Sequence, residues 1–202
     1  MTERLSADEA GLAVAASLLR AGRLVAFPTD TVYGIGCRVG DPAALDRLFE
    51  AKRRPTEKRI PILVAGAAQV EELGYRIDER ARLLIEAFWP GALTLVLPST
   101  AEGGATQAFR APDHPVALGL IGRSGPLAAT SANRSAEPET YEADDVLVAF
   151  ADTPLLEAVV DGGKVPGGVA STVLDLSVEP ARVLRPGPVT PERLAEVAGL
   201  VD

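Results

Sequence analysis

The chain has 202 residues, of which 47% are hydrophobic and 24% are charged, a balance typical of a globular protein rather than a disordered one. At this length a single domain with its own core is expected. The formal net charge of −8 argues against general binding to nucleic acid or to an anionic membrane. An anionic ligand would therefore need a local cluster of Lys and Arg.

The chain has one cysteine, Cys37, and one histidine, His114. A single cysteine excludes an intramolecular disulfide, and one residue of each type disfavours a structural zinc site. Neither a signal-peptide pattern nor an apolar run of membrane-spanning length is present. These observations predict a soluble cytoplasmic protein.

Helices and strands intermingle along the chain with short links. Apolar periodicity and capping residues predict helices, the first of which is opened by Ser6 with Glu9 and closed before Gly22, with others at about 41–52, 78–88, 115–121, 142–150 and after Thr190. Short apolar runs predict strands near 24–27, 60–65, 93–97, 108–111, 127–130, 158–160, 171–176 and 181–184. The alternation predicts an α/β protein with a mixed sheet.

Residues 27–36 join a buried strand to a segment rich in hydroxyl groups and glycine. Gly34 and Gly36 are expected to let the backbone turn sharply or approach a ligand closely, while an ordinary polar turn explains the composition equally well. A dinucleotide fingerprint is excluded because Val39 stands where the pattern requires its third glycine, and no P-loop is present.

The densest basic cluster covers residues 52–59 and contains Lys52, Arg53, Arg54, Lys58 and Arg59. It is explained either by cations that complement the dipole at a helix C-terminus or by a clamp for phosphate or carboxylate groups. The composition of the cluster leaves both explanations open.

Polar side chains also follow two predicted strands. Ser131 and Asn133 lie where one strand ends, and their hydroxyl and amide groups suit either a turn or the binding of an oxyanion or phosphate. No Gly-x-Ser-x-Gly elbow surrounds Ser131, which argues against a serine hydrolase. Arg110 ends another strand and needs a carboxylate or a ligand as partner.

Seven short motifs occur together in one order: residues 28–37, 52–55, 89–91, 110–115, 131–133, 171–173 and 185–187. With these motifs the chain closely resembles the single-domain form of the YrdC-like threonylcarbamoyl-AMP synthases over about residues 24–187. The resemblance implies one YrdC/RibB-like domain over residues 1–202, in which helices flank a twisted mixed β-sheet and a concave groove holds the substrates.

The activity that the resemblance implies is that of a nucleotidyltransferase. Such an enzyme combines L-threonine, bicarbonate or CO2, and ATP into threonylcarbamoyl-AMP and pyrophosphate, the first step of t6A modification in tRNA. Mg²⁺ is expected to accompany ATP, held mainly by the phosphates, with no organic cofactor. The product is expected to pass to a downstream tRNA threonylcarbamoyl-transferase, with only weak direct binding of tRNA and no membrane partner.

The family motifs also imply roles for particular residues. The catalytic tetrad falls on Lys52, Arg54, Ser131 and Asn133, the cations stabilising charge and the other two orienting substrate. Threonine is expected to meet Thr31, Tyr33, Arg110, Ala129 and Ser171. ATP is expected to meet Arg54, Lys58, Thr106, Ser131, Asn133 and Arg185, and no protein side chain is expected to hold a metal.

Two positions depart from the family pattern, since Leu63 stands where many relatives have histidine and Glu139 where many have Ser or Thr. Two other functions remain open: a double-stranded RNA-binding module of the same fold, and a paralogue with another carbamoyl or adenylate substrate. The acidic charge and an aromatic content of 4% argue against RNA binding, which relies on basic and aromatic side chains.

Overall fold

The computed structural model of the protein describes residues 2–199. In chain order the strands are β1 (Glu3–Ser6), β2 (Leu24–Pro28), β3 (Tyr33–Arg38), β4 (Ile62–Leu63), β5 (Leu93–Leu97), β6 (Gln107–Arg110), β7 (Leu127–Ser131), β8 (Leu156–Asp161), β9 (Thr172–Asp175) and β10 (Arg182–Arg185). The helices are α1 (Glu9–Arg20), α2 (Pro42–Lys52), α3 (Ala67–Glu72), α4 (Glu79–Phe88), α5 (Pro115–Ser124), α6 (Ala143–Ala149) and α7 (Pro191–Ala198).

The chain forms two compact units, one from residues 2–60 and 114–168 and the other from residues 61–113 and 169–199. The mixture of parallel and antiparallel strands with helices in both units confirms the predicted α/β class. The single domain and the concave groove stay predictions. Over residues 2–199, no helix has both the length and the apolar character that a membrane crossing requires.

The first unit contains five strands in the order β1-β8-β2-β3-β7. β8 pairs in parallel with β1 and β2, whereas β3 pairs antiparallel with β2 and β7. All residues of β2 are buried, as expected for a strand covered on both faces. Its core includes Phe27, Tyr33 and Phe150.

Helix α2 follows β3 in the first unit and begins as the sequence predicts. The Asp41 side chain accepts a hydrogen bond from the Ala44 amide, and Pro42 occupies the first turn, where its missing N–H costs nothing. The helix ends at Lys52, and Arg53 adopts a left-handed conformation with φ of 49°. The chain therefore leaves the helix with Lys52 on its last turn.

The second unit contains five strands in the order β4-β6-β5-β9-β10. β4 pairs in parallel with β6 and β5 with β9, whereas β5–β6 and β9–β10 are antiparallel. Helix α4 packs against α7. Their predicted caps are confirmed, since Asp78 accepts from the Ala81 amide and Thr190 from the Arg193 amide.

Several local predictions are wrong at the start of the chain. Ser6 does not cap α1 but ends β1, a strand that the sequence analysis missed. The cap is Asp8, whose side chain accepts from the Gly11 amide. A Cβ at Gly11 would lie 1.9 Å from the Ser6 carbonyl oxygen, so the helix starts tightly against the strand end.

Two further predictions fail because tertiary pairing decides them. Gly34 and Gly36 do not form a turn but lie in β3, paired with β2 on one side and β7 on the other. The predicted strand at 60–65 shortens to the two residues of β4, and α3 was not predicted. Apolar runs this short do not reveal their pairing partners.

Candidate functional site

The antiparallel pairing of β3 with β7 brings two predicted site segments together in the first unit. Gly34 lies opposite Ser131, and the Ala132 amide donates to the Tyr33 carbonyl at 2.7 Å. Because the pairing is antiparallel, the start of β3 meets the end of β7. The polar residues on either side of these strand ends therefore share one region of the unit.

Gly36 and Ala129 allow the two strands to approach closely. They are paired in register, and a Cβ at position 36 would lie 3.0 Å from the Ala128 carbonyl oxygen and 3.1 Å from the Ala129 Cβ. A larger side chain would force the strands apart. The glycine thus supports strand packing, which corrects the expectation that it serves a turn.

Lys52, Ser131 and Asn133 form a hydrogen-bonded group that we call the Lys52 cluster. The Lys52 ammonium donates to the backbone carbonyl oxygens of Ser131 and Asn133 and, at 3.3 Å, to Asn133 Oδ1. Lys52 is 2% exposed. An ammonium group has three N–H donors, so these three acceptors use all of them.

The side chains of Ser131 and Asn133 are oriented by the same cluster. Ser131 Oγ donates to Asn133 Oδ1 at 2.6 Å, and Asn133 Nδ2 donates to the Glu137 carbonyl oxygen at 2.6 Å. Asn133 Oδ1 thus accepts from both Lys52 and Ser131. Because its hydroxyl proton is directed at Asn133, Ser131 Oγ presents lone pairs to any further partner.

Burial and neighbouring charges act on Lys52. Burial, followed by the positive charge of Arg54, lowers the pKa of Lys52 from 10.5 to about 7, with Arg134 adding to the effect and Glu139 opposing it. The three acceptors favour the ammonium form, whereas the low-dielectric surroundings disfavour it. The cluster therefore holds a cation whose charge responds to its environment near neutral pH.

Arg54, the fourth member of the predicted tetrad, lies two residues beyond Lys52. Its Nε and one terminal nitrogen donate to the carbonyl oxygens of Lys58 and Arg59 at 3.4 Å and 3.0 Å. Burial lowers the pKa of Arg54. The guanidinium thereby closes the basic turn that follows α2, with Lys58 exposed on it.

Two residues predicted to meet threonine lie at the start of β3 or just before it. Thr31 is buried, and its amide and hydroxyl bond Thr29 Oγ1 at 3.2 Å and 3.1 Å. Tyr33 is also buried, and its hydroxyl donates to the Gly163 carbonyl at 2.8 Å and accepts from the Gly162 amide at 3.2 Å. Burial raises the pKa of Tyr33 to about 12, so the phenol stays neutral.

In the second unit, Thr94, Ser171 and Arg185 form a group that we call the Ser171 cluster. Thr94 Oγ1 and Ser171 Oγ lie 2.8 Å apart on neighbouring strand ends. Arg185 donates through Nε to the Ser171 carbonyl at 3.0 Å and through a terminal nitrogen to Ser171 Oγ at 3.1 Å. A residue predicted to bind threonine is thus held by one predicted to bind ATP.

The remaining predicted residues of the second unit are Arg110 and Thr106. Arg110 is 8% exposed, and its Nε donates to the Gly91 carbonyl oxygen at 2.9 Å. This bond ties β6 to the predicted 89–91 motif. Thr106 is half-buried and directly precedes β6.

Three residues near these clusters were not predicted. Thr29 organises the turn that carries Thr31, Thr94 pairs with Ser171, and Arg134 contacts the end of α2. Thr94 had a detectable signal, because it is the one polar residue in the apolar run 93–97. Over residues 2–199, no group of three or more His, Cys, Asp or Glu side chains could hold a metal ion.

Residues 17–187 match the model of the Sua5, YciO and YrdC family, whose description reads telomere recombination. The chain belongs to this family. The match begins before the first motif recognised in the sequence and ends at the last one. The predicted family is therefore confirmed.

Named relatives in the family agree with the match. A threonylcarbamoyl-AMP synthase of Bacillus subtilis is 41% identical over 208 residues, covering 98% of this chain and 60% of that protein. A threonylcarbamoyl-AMP synthase of Pyrococcus abyssi is 43% identical over 200 residues, covering 95% of this chain and 58% of that protein. The chain thus spans somewhat less than two thirds of the length of these two relatives.

A solved structure of the family shares the fold. The crystal structure of Pyrococcus abyssi Sua5 complexed with L-threonine matches with a TM-score of 0.89 and 40% identity, covering 100% of this chain and 62% of that one. The YrdC-like fold that the sequence predicts is confirmed. The individual site residues of this chain stay predictions.

Proposed function

We propose that the chain is a threonylcarbamoyl-AMP synthase, which joins L-threonine, bicarbonate or CO2, and ATP into threonylcarbamoyl-AMP and releases pyrophosphate. The Lys52 cluster is the observation that carries this proposal, because three of the four tetrad residues form one hydrogen-bonded group in the first unit. Family membership and the names of the relatives support the same activity.

The reaction that we propose needs alignment and charge stabilisation rather than a covalent nucleophile. A threonine carbamate attacks the α-phosphate of ATP while pyrophosphate leaves, so negative charge develops on phosphate oxygens. Arg54 supplies a guanidinium fork, and Lys52 supplies a buried positive charge. The Lys52 cluster is suited to this task because its charge and its side chains are already held in place before the substrate binds.

Lys52 has a second task in this proposal. All three of its N–H groups are engaged by Ser131 and Asn133, so it contributes chiefly by its charge and by holding the 131–133 segment. The groups of the cluster that remain to meet a ligand are then the lone pairs of Ser131 Oγ and the second N–H of Asn133 Nδ2. In this proposal Lys52 stabilises charge, as the family motifs imply, without donating a hydrogen bond to phosphate.

We infer threonine-binding roles for Thr31, Tyr33 and Ala129 in the first unit. In the second unit, considered by itself, the same role is proposed for Arg110 and Ser171. The threonine-complexed relative supports this choice of ligand. Tyr33 already hydrogen-bonds both Gly162 and Gly163, so its hydroxyl has one lone pair left for a ligand. Tyr33 therefore contributes chiefly to the shape of the threonine site and less to hydrogen bonding.

Mg²⁺ is proposed to enter with ATP and to be held mainly by phosphate oxygens and water. Ser131 Oγ would fit as an additional oxygen ligand, which departs from the expectation that no side chain holds the ion, since its proton is directed at Asn133 and its lone pairs are available. Asn133 Oδ1 does not fit, because it already accepts two hydrogen bonds. When bound, the ion would neutralise charge on the leaving pyrophosphate.

The downstream tRNA threonylcarbamoyl-transferase and the cytoplasmic location belong to the same proposal. An adenylate of threonine carbamate is an activated acyl group, so its use requires a transferase that accepts it. Direct binding of tRNA is expected to be weak because the chain carries a net charge of −8.

The decisive experiment measures pyrophosphate release from ATP and bicarbonate, with and without L-threonine. We expect release that depends on threonine, together with threonylcarbamoyl-AMP identified by mass spectrometry. Release without threonine, or none under either condition, would contradict the proposal. The same assay with glycine or serine in place of threonine tests whether the chain is a paralogue with another substrate. Filter binding of double-stranded RNA across a series of salt concentrations tests whether it is an RNA-binding module.

A further inference from the structure

Arg134 directly follows Asn133 and has no role in the function proposed above. It is 5% exposed, which is unusual for an arginine unless its charge is compensated. Its Nε donates to the Ala149 carbonyl oxygen at 3.1 Å, one terminal nitrogen donates to the Ala51 carbonyl oxygen, and the other pairs with Asp152. Every nitrogen of this buried guanidinium thus has a partner.

The two carbonyls that Arg134 contacts belong to the last turns of two helices, α2 and α6. Helix C-termini carry carbonyl groups without intrahelical donors and a partial negative charge, so both favour a cation. The guanidinium also lies over the Phe150 ring, 4.9 Å from its centroid. One buried side chain therefore joins the ends of two helices.

Each of the last four carbonyl groups of α2 has a hydrogen-bond donor outside the helix. The Arg54 amide donates to Phe49 O and the Arg53 amide to Glu50 O, both at 2.9 Å. Ala51 O accepts from Arg134, and Lys52 O accepts from the Ser135 amide at 3.1 Å. The segment 134–135 thus satisfies the two carbonyls that the chain after the helix does not reach.

The contacts between the helix end and this segment run in both directions. The Lys52 side chain bonds the carbonyls of Ser131 and Asn133, while Arg134 and Ser135 bond the carbonyls of Ala51 and Lys52. A displacement of either segment would therefore break both sets of bonds. The position of the Lys52 ammonium therefore depends on the same hydrogen bonds that hold the end of α2 against residues 131–135.

We propose that Arg134 is a positioning residue for the tetrad, which holds the end of α2 against the 131–133 segment and so sets the place of Lys52 and Arg54. It acts through the helix end and not through contact with substrate. The kinetic part of this inference rests on the proposed synthase function, whereas its structural part does not.

The test compares Arg134→Met, which removes the cation, with Arg134→Lys, which keeps the charge but not the planar fork that reaches three partners. Arg123→Met is the matched control, since Arg123 also joins a helix carbonyl, that of Gly119, to a carboxylate, that of Glu9, but lies on α5. We expect kcat to fall about 100-fold in Arg134→Met and about 10-fold in Arg134→Lys, the scale of a small misplacement of reacting groups. KM values for ATP and threonine should change much less, and the control should match the wild type.

Amide hydrogen exchange supplies the readout that does not need activity. The amides of Arg53, Arg54 and Ser135 should exchange faster in Arg134→Met, while amides in β2 and β8 keep their protection. An inactive wild-type protein would overturn the proposed function, whereas unchanged exchange at these amides would overturn the role of Arg134. If Arg134→Met does not fold, Arg134→Lys decides: wild-type kcat and exchange in that variant would refute the inference.

Discussion

The Lys52 cluster and the Ser171 cluster hold predicted site residues in different ways. In the first, a buried ammonium gathers two backbone carbonyls and an amide oxygen from a segment about 80 residues away along the chain. In the second, two hydroxyl groups on adjacent strand ends meet at 2.8 Å, and an exposed arginine holds one of them. One cluster depends on a buried charge, and the other on a pair of hydroxyl groups held by an exposed one.

This difference predicts how each cluster responds to substitution. Removing a buried cation leaves several acceptors without partners at once, and each buried unsatisfied polar group costs about 1–3 kcal/mol. Removing one hydroxyl from a pair leaves a single group to reorient. Substitutions should therefore have larger and less local effects in the Lys52 cluster than in the Ser171 cluster.

The largest effect is expected for Lys52→Met. This substitution removes the positive charge and leaves the carbonyls of Ser131 and Asn133 without their donor. We expect kcat for threonine-dependent pyrophosphate release to fall by about 1,000-fold, the upper range for loss of a preorganised group. Arg123→Met is the control for removing a cation elsewhere, and a Lys52→Met rate within a few-fold of wild type would refute the tetrad assignment.

Ser131→Ala is expected to have the next largest effect. The hydroxyl orients Asn133 Oδ1 and offers its own lone pairs, but Lys52 keeps its bonds to the backbone when it is lost. We therefore expect a fall in kcat of about 100-fold. The comparison with Lys52→Met in the same assay is informative, since equal losses would mean that the cluster acts through the serine alone.

In the Ser171 cluster, Ser171→Ala should raise KM for L-threonine by about tenfold, the equivalent of one hydrogen bond. Thr94→Val removes only the partner of that hydroxyl, and we expect about a threefold rise, because Arg185 still holds Ser171. Steady-state kinetics with threonine varied at saturating ATP measure both. If Ser171→Ala or Thr94→Val lowered kcat as much as Lys52→Met does, the two clusters would not differ in the way described above.

The smallest effect concerns pH and tests the buried charge directly. The pKa of Lys52 is about 7 in the folded protein and 10.5 ordinarily, so between these values the unfolded chain binds more protons. The free energy of unfolding contributed by Lys52 therefore rises with pH across this window and is lowest below it.

Thermal melting checks this sign. The difference in Tm between the wild type and Lys52→Met should grow in favour of the wild type as pH rises from about 7 to about 10. Arg123→Met serves as the reference for general pH effects on the fold. If plots of Tm against pH are parallel for the wild type and Lys52→Met, the three acceptors keep the pKa of Lys52 close to its ordinary value.

Many elements were predictable because their signals are local. Asp41 with Pro42, Asp78, and Thr190 with Pro191 mark helix starts through contacts within four residues, and each is confirmed. The strand at 93–97 was predicted with its observed bounds. Several failures involve pairing with a strand far along the chain: Gly34 and Gly36 pair with β7, and Ser6, which was expected to cap a helix, pairs with Asp161 in β8.

The sequence by itself determined the family and the α/β class, because ordered motifs and capping residues are properties of residue type and spacing, and it predicted which residues form the tetrad. Arg134 and Thr94 can be read from the sequence, but nothing in the sequence indicates which residues they contact. Only the tertiary structure decided that Lys52 bonds the 131–133 segment, that Arg134 joins the ends of α2 and α6, and that Thr94 meets Ser171. Such contacts depend on which strands pair and on where the helices end relative to them. Strand pairing and helix position are set by the burial of apolar side chains over the whole unit, which local sequence does not reveal.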